Sequence, residues 1–208
     1  MTLDEFIAKW SNLEGGAERA NYGPFLTEMC IVLGLPTPGP GRGARANEET
    51  LGEYQFDGFV RHTLAGEAYG TGFIDLYKRD CFILEAKQPR QTAAVPAQKA
   101  TPAPTATDLF GNAIKGQRAA TPSLPTRAER KYDALMRDAR AQAEAYACAV
   151  PHTWPPFPIV CDVGRTFELY FDWSGNGKGY SFFPDQLSYR VPLEHLRDPA
   201  TQNLFRQI

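Results

Sequence analysis

The chain has 208 residues, 43% of them hydrophobic and 12% aromatic, with a formal net charge of −2. That length suits one domain with room for a long loop, and that apolar fraction can bury a packed core. The near-neutral charge does not mark the chain as a nucleic-acid binder but leaves room for a local basic surface, and no apolar stretch reaches the roughly 18 residues that span a bilayer.

Thr2-Leu3-Asp4-Glu5 is a capping-box pattern, and Phe6, Ile7, Trp10 and Leu13 follow at helical spacing until Gly15-Gly16. A second helix is predicted from about Pro24, a good first-turn residue, to Gly34, with Glu28 as its single acid. Pro36 to Arg45 reads as a loop, and Tyr54 to Thr63 as a strand. From Gly70 to Gln88 two apolar runs flank Lys78-Arg79-Asp80, which is a hairpin pattern.

Residues 89–128 are rich in Ala, Pro, Thr and Gln and read as a low-complexity, disordered insertion. Between Arg90 and Lys131 the chain carries seven basic residues against Asp108 and Glu129, which suits either a solvated linker or a surface that follows a phosphate backbone. Glu129 to Ala149 has helical composition, ended by Val150-Pro151. Pro158–Val163 and Thr166–Asp172 read as strands, Tyr180–Phe183 as a possible further one, and Leu193–Arg197 and Pro199–Ile208 as short helical pieces. This order predicts an α/β sandwich with a mixed central sheet of about five strands flanked by helices. The domain is expected to span residues 1–192, with 193–208 as the start of a helical connector to a further C-terminal part.

The four cysteines (Cys30, Cys81, Cys148, Cys161) are far apart and form no zinc pattern with the three histidines. They are expected to be reduced, buried thiols, which with the missing signal-peptide pattern points to a cytoplasmic protein.

The hairpin carries the chemistry. Asp75, Glu85 and Lys87 form Asp-x9-Glu-x-Lys. Hydrolysis of a phosphodiester needs a cation to neutralise the phosphoryl oxygens and a water activated in line with the leaving group. Magnesium takes oxygen ligands, commonly one or two carboxylates, and keeps several waters. A hairpin centred near Asp80 sets Asp75 opposite Glu85, with Cβ atoms about 5 Å apart. Period two then puts Lys87 on the face of Glu85 and turns Leu84 and Ala86 into the core. The bland alternative is a solvent face with ordinary acids, but Glu85 emerges among Ile83, Leu84 and Ala86, where an acid is costly without a partner. Glu28 could reach the same cation from the early helix, or be a half-exposed helix residue. Gln142 and Tyr146 lie four apart on one face of the later helix, where a Gln amide could hold a phosphate or the attacking water.

These pieces resemble the PD-(D/E)xK nuclease superfamily, and within it the N-terminal cleavage domain of fused restriction–methylation enzymes of the MmeI type. The resemblance rests on Pro24-Phe-Leu-Thr-Glu, Gly72-Phe-Ile-Asp-Leu, Phe82-Ile-Leu-Glu-Ala-Lys and Gln142-Ala-Glu-Ala-Tyr, in that order, and covers about Pro24 to Asp172. It implies a restriction-endonuclease-like fold and a Mg²⁺-dependent DNA endonuclease, with Mn²⁺ as a possible substitute. Asp75 and Glu85 would bind the metal, Lys87 would be the catalytic lysine, Glu28 an auxiliary acid and Gln142 a supporting group. Gln88, Arg90 and Tyr146 are the candidates for contact with double-stranded DNA. Methyltransferase and target-recognition domains in the same full-length chain, and a dimer on DNA, are the expected partners. The competing reading is a catalytically silent DNA-binding or assembly module of a methyltransferase-containing defence complex.

Overall fold

A computed structural model describes residues 1–41, 51–64, 67–90, 126–177 and 179–208. The elements run α1 (Leu3–Ser11), α2 (Glu18–Leu33), β1 (Tyr54–Leu64), β2 (Glu67–Lys78), β3 (Phe82–Lys87), α3 (Arg127–Ala149), β4 (Phe157–Asp162), β5 (Thr166–Asp172), β6 (Tyr180–Phe182) and β7 (Arg190–Pro192). A 3-10 helix (Leu193–Arg197) and α4 (Pro199–Gln207) follow. Most of the predicted insertion lies outside the described residues.

Among the described residues the sheet has seven strands, in the order β1-β2-β3-β4-β5-β6, with β7 paired to β5. The pairings are antiparallel except β3 with β4, which run parallel. A parallel pair needs a long crossover, and α3 lies within it. The two strands beyond the expected five include β7, only three residues long, whose Arg190 disguises it as surface.

Two apolar layers clothe the sheet. On one side Phe6, Trp10, Phe25, Leu26 and Met29 of α1 and α2 pack on Leu76, Leu84, Ala86, Ile159 and Phe167. On the other, Tyr132, Met136, Ala139, Ala143 and Ala147 of α3 pack on Val60, Ile74, Tyr77, Ile83 and Val160. The small alanines let the helix lie close over β3 and β4. Glu168 and Arg190 form a buried ion pair at 2.6 Å that Asp133 joins from α3. Tyr170 donates to the second oxygen of Glu168, so both carboxylate atoms are satisfied.

Four expectations change at element boundaries. α1 stops at Ser11, leaving Leu13 exposed. α2 begins at Glu18, and Pro24 sits inside it rather than at its start. α3 begins at Arg127 because Thr126 and Glu129 form a capping box like that of Thr2 and Glu5. Residues 193–208 pack into the core, where Leu193 and Leu196 are fully buried and Phe205 and Ile208 nearly so, rather than standing off as a connector. All four cysteines are free, but only Cys30 and Cys161 are buried; Cys81 is half-buried and Cys148 exposed.

Candidate active site

The β2–β3 hairpin has the register Leu76↔Leu84, Tyr77↔Ile83, Lys78↔Phe82, so its centre is Asp80, as the spacing of the triplet requires. Asp80 makes the turn with φ of 55°, a left-handed conformation that Asp tolerates better than most residues. Beyond Leu76 and Leu84 the strands part. The backbone N–H of Ala86 then donates to Asp75 Oδ2 at 2.7 Å. A side chain has taken the place of a ladder acceptor, which fixes Asp75 beside the strand that carries Glu85 and Lys87.

Strand alternation also slips here. Leu76 faces α2, while Ile74 and Tyr77, three apart, both face α3. Strict period two forbids that, so β2 bends at Asp75.

Glu85 is 3% exposed. Its Oε1 accepts from Lys87 Nζ at 2.6 Å, while its Oε2 is buried with no hydrogen-bond partner among the described residues. Burial pushes the carboxyl of Asp75 above its ordinary range, and only partly do the Ala86 N–H and Lys87 oppose this. Burial raises Glu85 too, and the charge of Asp75 adds to it. Burial alone would lower Lys87, but the Glu85 hydrogen bond and the surrounding acids more than reverse this, so Lys87 is held as an ammonium.

The helices close the site from both faces. Tyr146 stands over Gly72, where an added Cβ would come 2.5 Å from its ring. Its hydroxyl accepts from Gln142 Nε2 at 3.1 Å. Burial is the main reason its phenol is raised, with the charges of Glu85 and Asp75 contributing. Thus α3 brings the Gln142–Tyr146 face to the carboxylates.

Glu28 is not brought to them. Its two oxygens take Lys9 Nζ at 2.5 Å and Trp10 Nε1 at 2.7 Å, so it ties α2 to α1. Burial, the largest single influence on its carboxyl, is outweighed by those two donors and the Lys9 charge together, so its pKa lies below the ordinary value. The acid that α2 does present is Glu18, ten residues earlier and about 15 Å along the helix. Glu18 Oε2 accepts from the Gln88 backbone N–H at 3.3 Å, and its charge acts on Asp75, Glu85 and Lys87. The signal for it was available: an acid in the first turn of a helix, hidden because Pro24 read as the helix start.

Gln88, a candidate for DNA contact, is instead buried. Its Oε1 accepts from Asn21 Nδ2 at 2.8 Å and its carbonyl from the Gly16 N–H at 2.9 Å. It secures the start of α2, and with it Glu18. Arg90 is exposed beside Gly16. The strongly basic residues Lys99, Lys115 and Arg118 fall outside the described residues.

Among the described residues no three acid, thiol or imidazole groups form a ready-made metal cage. Two carboxylates, one of them with a buried, unpartnered oxygen, instead suit a hydrated Mg²⁺, which uses few protein ligands. The residues fit the ion.

The sheet order, the parallel β3–β4 pair and the acids at the parting of β2 and β3 define a restriction-endonuclease-like α/β sandwich. The chain belongs to the family described as "MmeI, N-terminal domain", whose model matches residues 1–207. This is the N-terminal part of a restriction–modification type of enzyme. No curated protein and no solved structure matches the chain. No helix among the described residues is long and apolar enough to cross a membrane.

Proposed function

We propose that this domain hydrolyses phosphodiester bonds of double-stranded DNA with Mg²⁺ as cofactor, as the cleaving part of a fused restriction–modification chain. The observation that carries the reading is the meeting of Asp75, Glu85 and Lys87 at the parting of β2 and β3, with Glu85 Oε2 buried and unpartnered.

Asp75 and Glu85 would hold the ion, which when bound neutralises phosphoryl charge and makes a coordinated water more acidic. Lys87 keeps its proton in this arrangement, so it acts as a cation: it orients the attacking water and steadies charge on the phosphoryl oxygens. Gln142 and Tyr146 offer polar groups from above for a phosphate oxygen or that water. Glu18 adds negative charge from α2 and helps to hold the cation.

The test is cleavage of double-stranded DNA by the full-length protein with Mg²⁺ or Mn²⁺, compared with Asp75→Ala. The proposal expects metal-dependent cleavage that the variant loses. DNA binding without cleavage by the unaltered protein, in either metal, favours the silent assembly-module reading instead.

A further inference from the structure

Directly opposite Asp75 on the neighbouring strand stands another acid. β1 and β2 pair Phe56↔Leu76 and Gly58↔Ile74, so Asp57 faces Asp75 across the ribbon, at the same point where β2 bends. Cross-strand neighbours hold their Cβ atoms about 5 Å apart, and like charges so placed repel. The chain goes to some length to keep Asp57 there. Its φ is 49°, a left-handed conformation in the interior of a strand. Its Oδ1 accepts from Tyr22 on α2 at 2.7 Å. Tyr22 lies one turn beyond Glu18, on the same helix face. Gly41 backs it so closely that an added Cβ would sit 2.5 Å from the Asp57 Cβ. The independent sign of a ligand is again Glu85, almost wholly buried and with one oxygen unpartnered among the described residues. Glu18 and Asp57 thus flank the Asp75–Glu85 pair, one from the start of α2 through the Gln88 backbone and the other from β1 across the ribbon.

We propose that Asp57 is a third carboxylate of the Asp75–Glu85 cation site, acting on the hydrated ion from its outer shell and fixed for that task by Tyr22 and its left-handed backbone. This rests on the reading of that site as a divalent-cation site. Among the described residues no three acids, thiols or imidazoles form a cage that would hold an ion directly, so the part proposed for Asp57 is in the outer shell, accepting hydrogen bonds from water. It is a positioning residue.

Asp57→Asn separates charge from shape. Asn tolerates the left-handed region as well as Asp does and still accepts from Tyr22. Mn²⁺ alone is titrated calorimetrically into the full-length protein, without DNA. The expected result is about tenfold weaker binding for Asp57→Asn, with a metal-free melting temperature equal to or above that of the unaltered protein, since repulsion has been removed. A merely structural Asp57 would leave Mn²⁺ affinity unchanged, and that result overturns the proposal. If the unaltered protein itself binds no Mn²⁺, the nuclease reading falls and this inference with it. If it binds and Asp57→Asn binds equally well, only this inference falls. Should Asp57→Asn fail to fold, Tyr22→Phe keeps the charge and removes its anchor; about threefold weaker Mn²⁺ binding is expected, and unchanged binding overturns the proposal.

Discussion

Lys87 and Glu85 form a contact in which each makes the other's burial tolerable. Removing the ammonium leaves Glu85 more easily protonated, which limits the structural damage while removing the cation that the proposed chemistry needs. Lys87→Ala is therefore expected to lower cleavage by at least about 100-fold and to leave cooperative unfolding intact. Global unfolding of that variant, seen by circular dichroism, would make Lys87 a structural residue. Asp162 is a different case. It is fully buried and has no hydrogen-bond partner among the described residues; Arg165 lies 3.7 Å away, and the charges of Glu168 and Arg190 also reach it. The nearby Tyr132 hydroxyl is bonded to Thr166 instead, at 3.0 Å. Burial pushes the Asp162 carboxyl up to about 7, against the pull of Arg165. A carboxyl raised on folding favours the folded state while protonated, so its contribution is full below about pH 4 and is lost as pH rises through about 7. The swing is of order 4 kcal/mol. Melting temperatures in EDTA are expected to fall between about pH 4 and 7, and Asp162→Asn to flatten that fall; an unchanged slope would assign the pH dependence to other groups.

Helix α2 and its neighbours show what the sequence could and could not reveal at the scale of elements. Period two and the centring of the hairpin on Asp80 were enough to put Asp75 opposite Glu85 and to turn Leu84 and Ala86 inward. The i, i+4 rule was enough to pair Gln142 with Tyr146. Glu18 was hidden by a proline that normally opens a helix but here lies within one. Asp57 was hidden because a left-handed residue within a strand has no signature in hydrophobic alternation. Thr126 was hidden by the low-complexity stretch that precedes it, although its box with Glu129 repeats that of Thr2. The reassignment of the α2 acid is testable by paired variants. Glu28→Ala is expected to cost about 1–2 kcal/mol by releasing Trp10 and Lys9, and to leave Mn²⁺ affinity unchanged. Glu18→Gln is expected to weaken Mn²⁺ binding with little loss of stability. The reverse pattern in calorimetry and thermal melts would return Glu28 to the site.

For the molecule as a whole, the C-terminal segment sets stability through the apolar layer it shares with α1 and α2. Leu193, Leu196 and Phe205 each remove a large apolar side chain from water, worth about 1.5–3 kcal/mol apiece. That sum is comparable with much of a typical domain's total stability of about 5–15 kcal/mol. A fragment of residues 1–192 is therefore expected not to fold cooperatively, whereas 1–208 does. Equal melting temperatures for the two fragments would restore a domain boundary at 192. A divalent ion that binds only the folded state contributes about 2.7 kcal/mol at a hundred times its dissociation constant, and so raises the melting temperature by about 5–10 °C.

The parallel pairing of β3 with β4 has a further consequence, in time rather than space. Glu18, Asp57, Asp75, Glu85 and Lys87 are all synthesised before residue 90, yet Phe82 must wait for its partner Phe157, seventy-five residues later. At ordinary translation rates that wait is about 4–15 s. Until it ends, the strand bearing Glu85 is an unpaired edge, without the helix and the fourth strand that bury it. A chain still on the ribosome thus holds the proposed acids and lysine but not the burial that raises the carboxyls of Asp75 and Glu85. Assembly of the sheet is the step that would complete the proposed site.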